Sequence, residues 1–106
     1  MTKEAQRRAA DKTSPEYRLL LYVAGQSARS VAAIANLKRV CEQHLEGRYS
    51  VEVIDLLEKP QLAKGDQILA VPTLVLKLPE PVRRIVGDLS NTDRVLVGLD
   101  LKSRVS

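Results

Sequence analysis

A chain of 106 residues in which 44% of the side chains are apolar, with three tyrosines as its only aromatic residues, has room for one domain with an aliphatic core, as in helices packed on a sheet. A net charge of +4, spread along the sequence, argues against nucleic acid as a partner, and the short apolar runs argue against a membrane span or signal peptide. One cysteine, Cys41, and one histidine, His44, exclude an intrachain disulfide and a protein metal site, and we expect a soluble protein in the reducing cytoplasm.

The first 16 residues mix charged side chains with alanines and favour a mobile tail or a frayed helix. A basic arm that binds a partner is the alternative. Residues 17–24, YRLLLYVA, form a largely apolar run that Gly25 ends, which is typical of a strand buried on both faces. The sequence therefore predicts a folded domain over residues 17–102 that begins with this strand.

A long helix is predicted after the first strand. Ser27 or Ser30 can cap it by accepting from the free amides of its first turn, it runs to about Glu46, and Gly47 supplies a left-handed stop. The predicted buried stripe consists of Val31, Ile34, Ala35, Cys41 and Leu45, and the predicted exposed face of Arg29, Lys38, Arg39, Glu42 and Gln43. On this stripe Cys41 is predicted to be a small core residue and not a catalytic thiol.

A second strand is predicted over residues 48–57, RYSVEVIDLL, where apolar and polar side chains alternate before the run becomes apolar, as in a half-exposed edge strand. Strand, helix and strand then make a right-handed βαβ unit. Pro60 is well placed to open a short helix over residues 60–64, because its missing amide hydrogen is not needed in the first turn.

The segment QILAVPTLVLKL, residues 67–78, centres on a proline. Proline lacks the amide donor that a sheet ladder needs, so Pro72 is predicted to open the third strand and not to lie inside it. The Val71–Pro72 bond is a candidate cis peptide, and a trans bond is equally compatible with these residues. Two further prolines then reverse the chain into a fourth strand, Val82–Val86, which should form a hairpin with the third.

A last helix is predicted from Asn91 to about Leu101, opened by a cap with the Ser-x-x-Asp spacing of Ser90 and Asp93. Its inner face is expected to consist of Val95, Leu96 and Leu99. Gly98 costs up to about 1 kcal/mol in a helix relative to alanine, and residues 95–97 also suit a strand. Helix and strand therefore compete in this segment, and the helix is our prediction.

The order strand, helix, strand, short helix, hairpin and helix resembles a thioredoxin-like α/β domain (βαβαββα), and AVPTLVL, residues 70–76, resembles the segment that carries the cis-proline there. In that family the cis-proline faces the start of the first helix, where a Cys-x-x-Cys pair exchanges disulfides. Here the corresponding residues 25–30 read GQSARS and contain no cysteine. Disulfide exchange needs one thiol to attack and another to resolve. The resemblance therefore implies the fold without the chemistry, and a single-cysteine redox enzyme that uses Cys41 is the alternative.

Other enzymatic signals are weak. The sequence has no glycine-rich loop followed by Lys-Ser or Lys-Thr, which argues against nucleotide binding by a P-loop. The aspartates at positions 55, 66, 88 and 100 lack a paired-carboxylate spacing and read as cap and turn residues. We therefore predict no catalytic residue, no cofactor and no metal, and a surface that binds a partner.

Eight short motifs resemble the KaiB family of bacterial circadian clock proteins, and the resemblance covers about residues 17–101 in register, without gaps. They are LYVAG at 21–25, VID at 53–55, PQLA at 60–63, ILA at 68–70, PTL at 72–74, PVRRI at 81–85, GDLS at 87–90 and GLDL at 98–101. The chain also resembles, more weakly, the KaiB-like sensory domain of the clock histidine kinase SasA.

This resemblance implies a regulator that is not an enzyme. Family members bind the N-terminal ATPase ring of KaiC and then capture KaiA, so that phosphorylation gives way to dephosphorylation. Clock histidine kinases of the SasA and CikA type are further implied partners, and a KaiB-related stress-response module without a clock role is the alternative. The candidate partner contacts are Arg48, Tyr49, Glu52, Lys64, Arg83 and Arg84.

The resemblance also implies a metamorphic protein. One state is a thioredoxin-like monomer that binds KaiC, and the other rearranges the C-terminal half and forms tetramers; Gly98 and Asp100 match positions that set the balance. Family members typically carry a basic residue where this chain has Leu20 or Glu52, and a threonine where it has Val71. Because Leu20 and Val71 strengthen an apolar core, we predict the thioredoxin-like monomer, with the tetrameric α/β ground-state fold as the alternative.

Overall fold

The computed structural model describes residues 16–101, and the predictions for residues 1–15 and 102–106 lie outside the described residues. Its strands are β1 (Tyr17–Val23), β2 (Tyr49–Asp55), β3 (Thr73–Leu78) and β4 (Arg83–Val86), its helices are α1 (Ala28–His44) and α2 (Thr92–Gly98), and η1 (Pro60–Ala63) is a short 3-10 helix. The predicted order of elements is confirmed. Between residues 16 and 101 no helix is long and apolar enough to cross a membrane.

The strands form one mixed sheet in the order β2-β1-β3-β4. β1 runs parallel to β2, as a βαβ unit requires, and antiparallel to β3. β3 and β4 form the predicted antiparallel hairpin. The prediction that the second strand lies at an edge is confirmed, and β4 forms the opposite edge among the described strands.

Both helices pack on one face of the sheet, over the main hydrophobic core. This core consists of Leu19, Leu21, Val23, Ala33, Leu37, Val40, Cys41, Leu45, Leu74, Leu76, Ile85, Leu89, Val95, Leu96 and Leu99. Because successive side chains of a strand point to opposite faces, Leu20 and Tyr22 lie on the other face. There Tyr22, Ile54 and Val75 form a second, smaller cluster, against which Leu20, Leu56, Ile68 and Val71 pack. The predicted contribution of Leu20 and Val71 to the core is therefore confirmed.

Helix α1 begins with the cap predicted at Ser27, whose Oγ accepts from the backbone N–H of Ser30 at 3.2 Å. The Oγ of Ser30 is buried and accepts from the backbone N–H of Ala24 at 3.1 Å. This bond joins the end of β1 to the first turn of the helix. At the other end Gly47 has a φ of +69°, as expected for the residue that reverses the chain after the helix.

The predicted buried stripe of α1 is wrong in its first half. Val31 and Ile34 are 50% and 39% exposed, and Ala35 is also exposed. The buried residues of the helix are Ser30, Ala33, Leu37, Val40 and Cys41. After Ser30, only the observed set stays apolar along the helix, and the bond from Ala24 to Ser30 turns Ser30 inward in keeping with this rotation.

Pro72 directly precedes β3, as predicted, so the strand starts at the residue after the missing amide donor. The Val71–Pro72 peptide bond is cis, and so are the bonds preceding Pro79 and Pro81 in the reversal that leads to β4. The carbonyl of Pro72 accepts from the backbone N–H of Gly87 at 2.9 Å, which connects the strand entrance to the loop after β4.

Helix α2 is confirmed as a helix but is shorter than predicted. The cap is Asn91 and not Ser90, because the Asn91 side chain accepts from the backbone N–H of Arg94 at 3.1 Å. Its C-terminus forms a Schellman motif in which the N–H of Leu101 bonds the carbonyl of Leu96 and the N–H of Asp100 bonds that of Val97. This motif ends the helix before the predicted boundary.

Candidate partner-binding surface

Two of the predicted contact residues lie where α1 ends and β2 begins. The Arg48 guanidinium is 3.1 Å from a carboxylate oxygen of Glu16, donates to the carbonyl of His44 at 3.3 Å and lies 5.9 Å from the ring centre of Tyr17. Tyr49 is the first residue of β2 and pairs in register with Tyr17. These contacts hold Arg48 at the end of the edge strand while leaving it exposed to a partner.

Strand β2 presents different side chains on its two faces. Its pairing with β1 puts Tyr49, Val51 and Val53 on the α1 side, and Glu52 on the opposite side beside Leu20. Glu52 is exposed, as expected for a contact residue. The sequence alternation thus puts the charged Glu52 and the apolar Val51 and Val53 on opposite faces of the same edge strand.

An apolar strip that the sequence patterns did not predict lies beside β2. We define the β2 strip as Ile34, Tyr49, Val51 and Val53, which together with Leu21, Leu37 and Lys38 line a shallow cavity of about 200 Å³. Val53 is apolar, yet it is 45% exposed. The strip was missed because Ile34 is placed on the predicted buried stripe. Helical spacing from Ile34 leads to Lys38, whereas spacing from Ala33 leads to Leu37, Val40 and Cys41, and this apolar continuation is the sequence signal that identifies the buried side.

The remaining predicted contacts lie elsewhere. Lys64 is exposed directly after η1. Arg83 and Arg84 are on β4, at the edge opposite β2, and pair with Leu76 and Val75, so their side chains leave from opposite faces of the sheet. With β1 and β3 between them, β2 and β4 are about 14 Å apart. The six predicted contacts therefore do not form one cluster: three lie at the β2 edge, two lie on β4 at the opposite edge, and Lys64 lies after η1.

A buried polar cluster, which the sequence analysis did not predict, holds the loop before β3 against the second face of the sheet. The Asp66 carboxylate, read from the sequence as a turn residue, is buried; it accepts from the Tyr22 hydroxyl at 2.6 Å and from the Lys77 ammonium at 2.5 Å. The Arg84 Nε donates to the backbone carbonyl of Asp66 at 3.0 Å. A single aspartate in a Gly-Asp turn does not by itself predict hydrogen bonds to donors so far away in the sequence.

The pKa values of Asp66 and Tyr22 shift in opposite directions. Burial favours a higher pKa for Asp66, but the hydrogen bonds from Lys77 and Tyr22 and the charge of Arg84 outweigh it and lower that pKa. Burial, and then the hydrogen bond to Asp66, raises the pKa of Tyr22 to about 12. The carboxylate is therefore ionised and the phenol neutral at physiological pH.

The first turn of α1, where thioredoxins carry their cysteines, is occupied by hydroxyl groups. Ser27 Oγ donates to Ser30 Oγ at 2.9 Å, and the backbone N–H of Gly25 donates to an Asp55 carboxylate oxygen at 2.9 Å. Cys41 lies in the main core, as predicted, and burial followed by the charge of Glu42 raises its pKa to about 11. Within residues 16–101 no three potential metal ligands form a group.

The fold-switch candidates lie at the end of α2. A Cβ on Gly98 would lie 2.6 Å from Ile85 Cδ1, so glycine allows the helix to pack closely on β4. Asp100 has a φ of +63°, a conformation that a residue with a side chain rarely adopts. Its carboxylate is exposed and lies 3.9 Å from the Arg83 guanidinium.

Solved structures share this architecture. The N-terminal domain of Synechococcus elongatus SasA superposes with a TM-score of 0.68 at 18% identity, covering 93% of this chain and 97% of that domain. Mitochondrial thioredoxin 3 from Saccharomyces cerevisiae superposes with a TM-score of 0.66 at 19% identity, covering 82% of this chain and 80% of its own. These similarities confirm the thioredoxin-like fold.

Sequence comparisons are more specific. The circadian clock oscillator protein KaiB of Nostoc punctiforme is 56% identical over 90 residues, which are 85% of this chain and 86% of that protein. The circadian clock protein KaiB3 of Synechocystis is 52% identical over 83 residues, 78% of this chain and 81% of its own. The sequence profile of the KaiB domain matches residues 20–101. The chain therefore belongs to the KaiB family of circadian clock proteins, as its motifs had indicated.

Proposed function

We propose that this protein is a clock regulator without enzymatic activity that docks on a KaiC-type ATPase ring and then captures KaiA, which favours KaiC dephosphorylation. Clock histidine kinases of the SasA and CikA type are further partners in this proposal. Membership in the KaiB family supports the class of partner. We further propose that the protein acts in the cytoplasm, where its free, buried Cys41 stays reduced.

The observation that carries this proposal is the β2 edge with its apolar strip. Among the described strands β2 has a neighbour on one side only, so its outer backbone groups can pair with an added strand. Val51 and Val53 stay exposed beside that edge, although burying each in an interface gains on the order of 1 kcal/mol. Backbone pairing supplies affinity and the β2 strip supplies specificity for an apolar partner side chain.

Co-elution of the protein with a KaiC hexamer from the same cell, in ATP and in ADP and with and without KaiA, tests the proposal. Wild type should elute with the ring. Val51→Glu should weaken the complex with KaiC or the complex with KaiA at least about tenfold, because it places a charge in the β2 strip. Val82→Glu, at an exposed valine outside the strip, is the matched control and should bind as wild type does. If wild type joins no ring in any nucleotide state, the proposal is wrong.

We also propose that the C-terminal half switches between two folds. The short α2 ends at a residue with positive φ and packs on β4 through a glycine, so its local sequence contributes little stability to the helical state. Two packings that differ by a few kcal/mol can be exchanged by a partner that binds one of them.

The single-cysteine redox enzyme is not proposed. The Cys41 thiol is fully buried, and a pKa of about 11 leaves it protonated at neutral pH. Nothing in the fold favours the stress-response alternative over the clock role.

A further inference from the structure

A second groove lies at the opposite edge of the sheet, between β4, the loop of residues 87–91 and α2. It consists of two adjoining cavities of about 180 Å³ and 590 Å³. Both are lined by Ile85, Val86, Asn91 and Arg94. We call this the β4–α2 groove. Its lining mixes polar and apolar side chains, and one of its walls is the β4 edge strand.

Three arginines from three different elements line this groove. Arg29, from the first turn of α1, lines the smaller cavity, Arg84 lines the larger one, and Arg94 lines both. The Arg29 Nη2 lies only 3.9 Å from the place that a Cβ on Gly87 would occupy, so this guanidinium lies against the loop of residues 87–91, which we call the groove loop. The two acidic residues that also line the groove, Asp88 and Asp93, do not balance the three positive charges.

The Asp88 carboxylate already forms a hydrogen bond within the chain. It accepts from the backbone N–H of Ser90 at 3.0 Å. The Ser90 hydrogen bonds, and then the nearby charge of Arg29, lower the pKa of Asp88. The Arg84 Nε is likewise engaged by the carbonyl of Asp66. Arg29 and Arg94 are exposed, and they remain the charges best placed to meet an incoming anionic group.

The groove loop is held at both ends before any ligand binds. The backbone N–H of Gly87 donates to the carbonyl of Pro72, and the Asn36 side-chain amide donates to the carbonyl of Asp88 at 2.8 Å. Asn91 is fixed as the cap of α2. A site whose walls are already ordered loses little entropy when it binds.

We propose that the β4–α2 groove binds an extended acidic segment of a partner protein, with carboxylates on Arg29 and Arg94 and an apolar side chain on Val86, which is 54% exposed. Charge complementarity supports an acidic segment, because Arg pairs with carboxylates in a bidentate geometry. The β4 edge strand and the exposed Val86 support an extended peptide over a free anion, since an ion would use the guanidinium groups alone. The inference rests on the proposed function only in that the segment belongs to one of the partners named there.

Titration of the ¹⁵N-labelled full chain with the peptide Ac-Glu-Val-Glu-Val-Glu-NH₂ tests the inference. Backbone amide signals of residues 84–91 should shift to saturation, and the affinity should fall with added salt. The double variant Arg29→Gln, Arg94→Gln should bind at least about tenfold more weakly. Arg18→Gln, at an exposed arginine of β1, is the matched control and should bind unchanged.

Two further ligands distinguish the alternatives. If the glutamine counterpart Ac-Gln-Val-Gln-Val-Gln-NH₂ shifts the same signals equally, or if inorganic phosphate displaces the peptide at equal concentration, the groove is not specific for an acidic segment and the inference is wrong. The inference also fails if the double variant binds as wild type does while its spectrum shows the native fold. If the protein does not bind the peptide but still co-elutes with a KaiC ring, this inference is wrong and the proposed function stands.

Discussion

At the scale of single residues, one aspartate joins both halves of the chain. Asp66 accepts from Tyr22 on β1 and from Lys77 on β3, and its backbone carbonyl accepts from Arg84 on β4. Lys77 is partly exposed whereas Asp66 is buried, so the carboxylate carries most of the desolvation cost of the pair. The cluster therefore stabilises the thioredoxin-like arrangement of the C-terminal strands only while Asp66 is ionised.

Asp66→Asn should lower the free energy of unfolding at pH 7 by about 2 kcal/mol, because it removes the charge that Lys77 and Tyr22 are oriented towards. The pKa of Asp66 in the folded protein is below its ordinary 3.8, so this stabilisation is complete above that value and is lost as the pH falls through the lowered pKa. Urea unfolding between pH 2 and pH 7 should therefore show the two proteins converging in acid. Glu58→Gln, at an exposed glutamate, is the control, and a constant gap across the range would contradict the assignment.

Tyr22 predicts an alkaline limit of stability. Its pKa is raised from 10.0 to about 12, so the folded protein holds a proton that the unfolded chain releases. The stabilisation is complete below about pH 10 and is lost between about pH 10 and pH 12, by on the order of 2–3 kcal/mol in total. Tyr22→Phe should remove this component of the alkaline decline in denaturation experiments. Equal declines in both proteins would show that Tyr22 does not cause it.

Cys41 should be alkylated by iodoacetamide far more slowly than free cysteine at pH 7, by at least about a hundredfold, because it is fully buried and burial raises its pKa to about 11. Labelling should become fast in denaturant, which exposes the thiol. Rapid labelling of the folded protein, measured by mass spectrometry, would contradict the core assignment and revive the redox alternative.

At the scale of elements, the end of α2 combines a regular cap with an irregular residue. The Schellman bonds at Asp100 and Leu101 are those normally formed around a glycine. Here an aspartate with a φ of +63° occupies that position, and the left-handed conformation costs a residue with a Cβ about 1 kcal/mol. The helix therefore ends at a residue that is less suited to this conformation than glycine.

Asp100→Gly should be more stable than Asp100→Ala by about 1 kcal/mol in the thioredoxin-like fold. Both variants lose the carboxylate that faces Arg83 at 3.9 Å, so their difference isolates the backbone conformation. The free energy of unfolding from urea titrations measures it. Equal stabilities would mean that α2 ends differently in solution.

At the scale of the whole molecule, the two sheet edges present different chemistry. β2 has the apolar β2 strip beside it, and β4 has the arginine-lined β4–α2 groove. Because β1 and β3 separate the edges, the proposed strand addition at β2 and the acidic segment at β4 can bind at the same time. A regulator that holds one partner while it captures another needs two such surfaces.

The whole chain should be a monomer of 11.7 kDa with helical backbone chemical shifts at residues 92–98. The Leu20 and Val71 side chains complete the second cluster of this fold, which favours it over a rearranged C-terminal half. Light scattering and NMR measure both quantities. A tetramer with extended shifts in this segment would contradict the prediction, and a minor set of such signals would support fold switching.

Local signals were sufficient for most of the fold. Pro72 cannot donate to a ladder and Gly47 adopts a positive φ, so each marks a boundary wherever the rest of the chain lies. Ser27 caps α1 because its own side chain reaches the first turn. Glu52 was correctly expected on an edge strand, but nothing local indicated that the strand of Arg83 and Arg84 is the opposite edge.

The sequence by itself determined the order of elements, the edge position of the second strand, the core position of Cys41 and the absence of a Cys-x-x-Cys pair, because these depend on periodicity, turn residues and composition. Only the tertiary structure decided which side of α1 is buried, which donors surround Asp66 and where the β2 strip and the β4–α2 groove lie. The donors around Asp66 and the linings of the two surfaces come from residues far apart in the chain, so no local pattern places them; the rotation of α1 was confirmed only when the bond from Ala24 to Ser30 was seen.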